Sequence, residues 1–187
     1  MSIIDILLLS VALAMDCFAI SIVSSMIIGR FRWPVVLRMG LLFGFFQALM
    51  PLLGWFAIHH YATRIEVYGR YIAFGLLLII GGKMVWEALT PSKQRAFNPE
   101  KLTTQLLLAV ATSIDALTVG VSLAVTGTHS LASLTLPLVC IGLASLLFTI
   151  LGHSLGAKFG PAVRRHVNPE LLGGIILILL AFKVLLF

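Results

Sequence analysis

Charged residues are scarce in this chain, at 11% of 187 residues, and only seven of them are acidic. Hydrophobic residues make up 60%, and the mean hydropathy is +1.09. Soluble domains carry about 25% charged residues, so this composition excludes an ordinary soluble domain. The two cysteines form no CxxC pair, and no nucleophile motif, cofactor motif or phosphate loop is present. We therefore expect neither an enzyme nor a permanently bound cofactor.

Between the few charged residues the sequence contains long apolar runs. Since a membrane-spanning helix needs about 20 mostly apolar residues, each run is long enough to cross a bilayer. The first has no basic residues before it and contains Asp5 and Asp16, so it is predicted to be a retained helix rather than a cleaved signal. The sequence predicts an all-α integral membrane protein with six transmembrane helices, at approximately residues 3–28, 36–57, 69–89, 104–125, 131–152 and 168–187.

Lysine and arginine are unevenly distributed among the loops. Nine lie in the first, third and fifth loops, two in the second and none in the fourth. By the positive-inside rule, the odd-numbered loops are cytoplasmic and both termini lie outside, which we expect to be across a bacterial inner (plasma) membrane. The basic residues form no continuous stripe, so nucleic acid is not an expected partner.

The chain matches itself at an offset of about one hundred residues. Residues 1–90 form a first repeat, 91–103 a cytoplasmic linker and 104–187 a second repeat, each repeat with three helices. Because three is odd, the second copy enters from the opposite side of the membrane, which predicts two inverted repeats. The matched pairs are Asp16 with Asp115, Gln47 with Ser145, and Lys83 with Lys183.

Asp16 and Asp115 are the strongest candidates for function. A carboxylate at bilayer depth is costly and is usually functional. Inverted repeats place matched residues at similar depth, near the midplane where transporters bind their substrates. Hydroxyl and amide groups surround the two aspartates, and such oxygens favour a hard divalent cation such as Mg²⁺, Ca²⁺ or Mn²⁺. The candidate supporting ligands are Ser21, Gln47, Thr112 and Ser113.

A structural ion pair is the alternative for these aspartates, with Lys83 and Lys183 each neutralising one carboxylate. We expect Lys183 to extend to the membrane interface instead. Lys83 is expected to pair with Glu87 one turn away, leaving both aspartates free for a cation. Met15 and Cys17 flank Asp16 about 100° to either side on a helix, so at most one shares its face.

Three further features have structural explanations. Gly40-x-x-x-Gly44 and the series Gly152, Gly156 and Gly160 are spacings typical of close helix contact. Pro51 is expected to kink the second span. His153 is expected at the end of the fifth span, where the helix dipole favours it.

Three segments carry a resemblance to a known family. Residues 12–21 (ALAMDCFAIS), 111–117 (ATSIDAL) and 46–54 (FQALMPLLG) resemble the MntP family of bacterial manganese efflux pumps. The resemblance covers the whole chain, with departures at Cys17 and Thr118. It implies Mn²⁺ as the substrate, export from the cytoplasm, and Asp16 and Asp115 as the paired intramembrane ligands.

The resemblance implies one transport mechanism, and two alternative functions stay open. We expect alternating access, with Mn²⁺ bound between the halves; protonation of both carboxylates on release would return two protons per ion. An exporter or channel for another divalent cation or a small solute would use the same fold. A non-transporting membrane scaffold is the third possibility, and it predicts that neither aspartate is needed. Oligomeric state is not predicted.

Overall fold

The protein is all-helical in the computed structural model, which describes residues 2–89, 98–125, 131–164 and 168–186. Five helices follow one another along the chain: α1 (Ile3–Ile28), α2 (Trp33–Leu89), α3 (Leu102–Val125), α4 (Leu131–Arg164) and α5 (Pro169–Leu186). Their polar backbone groups are bonded within each helix, as a bilayer interior requires.

Helix α1 has the bounds that its sequence predicts because both ends carry local stop signals. The Ser2 side chain accepts hydrogen bonds from the N–H groups of Ile4 and Asp5, and the Ser2 N–H donates to Asp5 Oδ2 at 2.9 Å. The two bonds between Ser2 and Asp5 form a capping box. At the other end Gly29 has φ 77°, a left-handed conformation, and its N–H donates to the Ser25 carbonyl. Asp5 is therefore a capping residue.

Helix α2 combines two predicted spans, and the predicted second loop is wrong because its backbone is helical. Residues 58–68 contain no glycine or proline, so nothing local ends the helix there. The chain nevertheless reverses direction. Gln47 bonds the Thr112 carbonyl, and Met84 lines a small cavity with Leu108, one turn away on α3. Thirty-seven residues of straight helix would separate Gln47 from Met84 by about 55 Å.

Two arms of α2 are therefore distinguished: a first arm, Trp33–Ala57, and a second arm, Phe74–Trp86. Within the described residues, the first arm and the helical segments Ile3–Ile28, Leu102–Ala124 and Ala132–Gly160 are long and apolar enough to span a membrane. The second arm and Leu171–Lys183 are shorter apolar helices. Six apolar helical segments thus correspond to the six predicted runs, and the chain is a multi-pass membrane protein.

Helix α4 is longer than predicted, since it continues to Arg164 instead of ending near residue 152. His153 consequently lies inside the helix and is fully buried, so its predicted place at a helix end is wrong. The continuation packs on α1. A Cβ added at Gly152 would meet the Phe18 carbonyl at 2.7 Å, and one at Gly156 would meet the Ile22 carbonyl.

The glycine spacings make close helix contacts, as predicted. Gly40 lies against Leu146 on α4, and a Cβ added at Gly44 would meet the Gly142 carbonyl at 2.8 Å. Gly160 lies against Met26 on α1. Small residues permit such approach where lipid supplies no hydrophobic driving force between helices.

The closest approach is between the first arm of α2 and α3. A Cβ at Gly54 would overlap the Leu117 carbonyl, and a Cβ at Gly120 would overlap the backbone carbonyl of Pro51. Pro51 lies inside α2 and is buried at this contact. These two helices are therefore locked backbone to backbone.

Helix directions follow from these contacts. Helices α1 and α4 run the same way, because Phe18 meets Gly152 while Ile22 meets Gly156. The first arm and α3 also run the same way, because Arg38 bonds Gln105 while Gln47 bonds Thr112. Helix α5 runs opposite to α1, because Asp16 contacts Lys183 while Val23 meets Gly173. The first arm runs opposite to α4, because Gly40 meets Leu146 while Gly44 meets Gly142.

The described part of the predicted linker is bound to the start of α2. Arg32 forms an ion pair with Glu100, at 2.5 Å between Nη1 and Oε1. Arg38 donates from Nε to Gln105 Oε1 at 2.8 Å and from Nη2 to the Glu100 carbonyl. The first and third predicted loops therefore lie on the same side of the bundle.

Substitution of Gly120 by alanine should destabilise the fold. The new methyl group would overlap the Pro51 carbonyl, and overpacking of this kind costs about 1–3 kcal/mol or more. Thermal unfolding of the purified protein in detergent measures the effect, and a clear fall in Tm is expected.

Gly82→Ala is the matched control, because a Cβ at Gly82 meets nothing within 4 Å. Both changes gain the same helix propensity, so their difference isolates the contact. Equal melting temperatures for the two variants would contradict the proposed lock between α2 and α3.

Candidate functional site

The two aspartates lie near the middle of α1 and α3. Asp16 is 5% exposed, and Asp115 is partly buried. Each carboxylate lies within electrostatic range of the other, and Lys183 lies within range of both. The structure therefore brings the two sequence-predicted charges into one region between α1, α3 and α5.

Lys183 of α5 forms an ion pair with Asp16, at 2.9 Å between Nζ and Oδ1. The expectation that Lys183 extends to the interface is therefore wrong. The geometry explains the difference: α5 crosses α1 in the opposite direction, which brings its last turn level with Asp16. Without this cation the buried carboxylate would be left uncompensated, which is the costly case.

Asp115 has a different environment. Its Oδ1 accepts a hydrogen bond from the Ala116 N–H at 2.8 Å, and the Thr118 hydroxyl donates to the Asp115 backbone carbonyl at 2.6 Å. The two repeat-equivalent carboxylates are thus stabilised differently, Asp16 by an ammonium group and Asp115 by a backbone amide.

Gln47 joins the helices that carry the aspartates. Its Nε2 lies 3.4 Å from the Leu13 carbonyl on α1 and 3.2 Å from the Thr112 carbonyl on α3. Nε2 also lies 3.5 Å from Cys17 Sγ. Leu13 and Thr112 each precede an aspartate by three residues, so one amide holds matching points of both helices. Gln47 Oε1 is buried and has no hydrogen-bond partner among the described residues.

The predicted supporting hydroxyls bond to their own helices. Ser21 donates to the Cys17 carbonyl at 2.6 Å, Thr112 to the Leu108 carbonyl at 2.8 Å, and Ser113 to the Val110 carbonyl at 3.1 Å. All three are buried. Their hydrogens are used in these bonds, and each oxygen keeps lone pairs that can accept a hydrogen bond or bind a cation.

The two residues that flank Asp16 differ clearly in exposure. Cys17 is fully buried and Met15 is 50% exposed, which confirms that at most one shares the interior face. Of the two predicted charge partners, Lys83 lies on an exposed face of the second arm. The side chain of Glu87 lies outside the described residues, so its pairing with Lys83 stays a prediction.

Comparison with known proteins finds one family model and several close relatives that match the chain. The family model described as "Putative manganese efflux pump" matches residues 30–185. Proteins named "Putative manganese efflux pump MntP" are 43% identical over 186 residues in Phocaeicola vulgatus, 44% over 184 in Bacteroides fragilis and 42% over 178 in Methanosarcina mazei. These alignments cover 100%, 97% and 95% of this chain, and 97%, 94% and 92% of the relatives.

The chain belongs to the MntP family. The resemblance stated from three short segments is thereby confirmed over the whole length. The match to the family model spans the positions of Gln47, Asp115 and Lys183 in this chain, and the alignment to the Phocaeicola vulgatus relative extends over the position of Asp16 as well. No solved structure matches the chain.

Three polar residues of this MntP-family chain have interior positions or contacts that the sequence analysis did not favour. Lys183 pairs with Asp16. Ser145, the repeat partner of Gln47, is fully buried beside the Cys17 thiol, and its hydroxyl has no partner among the described residues. His153 is fully buried with both ring nitrogens unpartnered in the same part of the chain. The repeat offset was the signal for Ser145 and for Lys183, whose pairing with an aspartate was the alternative raised from the sequence, and no sequence signal identified the burial of His153.

Proposed function

We propose that the protein exports Mn²⁺ from the cytoplasm across the inner (plasma) membrane, with Asp16 and Asp115 as the charged ligands. The observation that carries the proposal is the meeting of two intramembrane carboxylates, from α1 and α3, within electrostatic range of each other in a chain of the MntP family. Ionisable groups at this depth mark ion pathways. The names of the relatives support manganese as the ion.

The ligand chemistry supports a hard divalent cation. Two carboxylates offset a charge of +2, and neutral oxygens would complete the coordination. Gln47 Oε1 and Ser145 Oγ are buried and unpartnered among the described residues, so both are candidates. The hydroxyls of Ser21, Thr112 and Ser113 supply further oxygens or hold the backbone around the site.

The proposed architecture is a pair of inverted three-helix repeats, 1–90 and 104–187, joined by the linker 91–103. Corresponding contacts support it. Gly54 packs on Leu117, and Gly152 packs on Phe18, so each contact maps onto the other at offsets of 98 and 99. Gly44 meets Gly142, its own counterpart at an offset of 98, as expected for residues at the axis between two copies.

Alternating access would proceed by movement of these halves around the aspartates. The proposed orientation has the first, third and fifth loops in the cytoplasm and both termini outside. The ion pair between Arg32 and Glu100 supports a common side for the first and third loops. The positive-inside rule supports the cytoplasm as that side.

Protons are the proposed counter-ion, and the ion pair changes their expected number. With Lys183 in place, the charges of Lys183, Asp16 and Asp115 sum to −1 in the site without metal. One proton would then neutralise the empty site, instead of the two expected from the aspartates alone. Exchange of protons for Mn²⁺ would still couple export to the proton gradient.

Membrane orientation can be tested with single cysteines at exposed positions, in a background where Cys17 and Cys140 are alanine. We expect Ser2→Cys to react with an impermeant maleimide in right-side-out vesicles, and Lys101→Cys to react only after the vesicles are opened. The opposite pattern would show that the termini are cytoplasmic.

Asp16→Asn and Asp115→Asn should each reduce Mn²⁺ flux in proteoliposomes to the level of empty liposomes, because each removes a charged ligand. Asp5→Asn is the matched control: Asp5 also lies on α1, but it is an exposed capping residue, so its flux should be unchanged. Normal flux in either variant would show that the substituted aspartate is not a required Mn²⁺ ligand.

An imposed pH gradient should change the rate of Mn²⁺ flux in proteoliposomes. Protons moving down their gradient in the direction opposite to Mn²⁺ should accelerate the flux, and reversal of the gradient should slow it. A rate that is indifferent to the gradient, with the membrane potential clamped, would rule out proton exchange.

A further inference from the structure

The ion pair of Lys183 and Asp16 has unequal partners. The Asp16 side chain is 7% exposed, whereas the Lys183 side chain is 52% exposed on the last turn of α5. The carboxylate is therefore fixed in the interior, while the ammonium reaches it from the edge of the bundle. A long side chain in this position can leave the carboxylate without disturbing the packed interior.

The ammonium stands where the proposed function requires a cation. Its Nζ is 2.9 Å from Asp16 Oδ1, and its charge also acts on Asp115. A divalent ion placed between the two carboxylates would repel the Lys183 ammonium, because the two cations would share the same low-dielectric space. Simultaneous binding of both cations at Asp16 is therefore unfavourable.

We propose that Lys183 is a tethered competitor of the transported ion: its ammonium occupies Asp16 when no metal is bound, and the divalent cation must displace it. This inference rests on the proposed function. It gives Lys183 two roles: it sets the affinity for the transported ion, and it favours ions of charge +2. Neither role follows from the repeat or from the ligand chemistry.

A purely structural role explains the pair less well. A buried ion pair seldom stabilises a fold more than apolar packing does, because desolvation offsets the attraction. The pair also draws the Asp16 carboxylate toward α5, whereas the unpartnered oxygens of Gln47 and Ser145 come from α2 and α4. Release of the ammonium would free Asp16 to turn toward those oxygens.

Competition of this kind has two consequences. It weakens apparent affinity by the fraction of molecules in which the pair is open. It also favours divalent over monovalent ions, since Na⁺ or K⁺ would replace one positive charge at Asp16 with another and gain nothing, whereas Mn²⁺ brings an additional charge to Asp115.

The test measures Mn²⁺ binding to the full-length protein in nanodiscs at pH 8, by electron paramagnetic resonance of free Mn²⁺. Lys183→Met removes the competitor and should lower the apparent Kd by about tenfold if the pair is open in about one molecule in ten. Lys183→Arg keeps a cation that can hold a carboxylate with two N–H groups, so it should raise the apparent Kd. Lys158→Met, at an exposed lysine on α4, is the control and should bind like the wild type.

The outcomes separate this inference from the proposed function. If the wild type does not bind Mn²⁺, or if Asp16→Asn binds as well as the wild type, the proposed site is wrong. If Asp16→Asn loses binding but Lys183→Met binds no more tightly than the wild type, only the competitor role is overturned. Should Lys183→Met fail to fold, Lys183→Arg decides: weaker binding supports competition, and unchanged or tighter binding overturns it.

Discussion

Backbone contact between the first arm of α2 and α3 is the constraint on which the candidate site depends. Lipid is as apolar as the helix surfaces, so helices associate through close packing and polar contacts rather than by exclusion of water. Gly54 and Gly120 remove the side chains that would hold α2 and α3 apart. Only at that separation can the Gln47 amide reach carbonyls on both α1 and α3. The packing of three helices thus fixes the position of both aspartates.

Charge then breaks the equivalence of the two halves. Asp16 and Asp115 correspond in sequence, but one faces an ammonium and the other a backbone N–H. Lys83, the counterpart of Lys183, lies on an exposed face of the second arm. Of the two aspartates, Asp16 is therefore the one that pairs directly with Lys183. In the proposed mechanism, this asymmetry would allow the metal-free site to differ from the metal-bound site without a change in both proposed repeats.

Sequence patterns predicted the features that have local causes. The bounds of α1 follow from the Ser2 cap and Gly29, and the glycine contacts follow from their spacing. The predicted end of the second span failed because residues 58–68 carry polar groups but no glycine or proline. The predicted end of the fifth span failed although Gly156 and Gly160 follow it, because both glycines pack against α1. Polarity marks where a chain meets water, and it does not by itself end a helix. The repeat offset correctly drew attention to Ser145, the counterpart of Gln47.

The sequence raised the pair of Lys183 with an aspartate only as an alternative, because the pair joins residues 167 positions apart and depends on the depth at which α5 crosses α1. The same crossing bears on ion selectivity. Asp16 faces Lys183 on α5, whereas the neighbouring Cys17 thiol faces Gln47 on α2, about 100° further around α1. A soft ligand therefore lies next to a hard one in sequence but is directed to a different helix. In the proposed mechanism, an ion that displaces the ammonium would meet a carboxylate oxygen first, while the Cys17 thiol contacts the Gln47 amide.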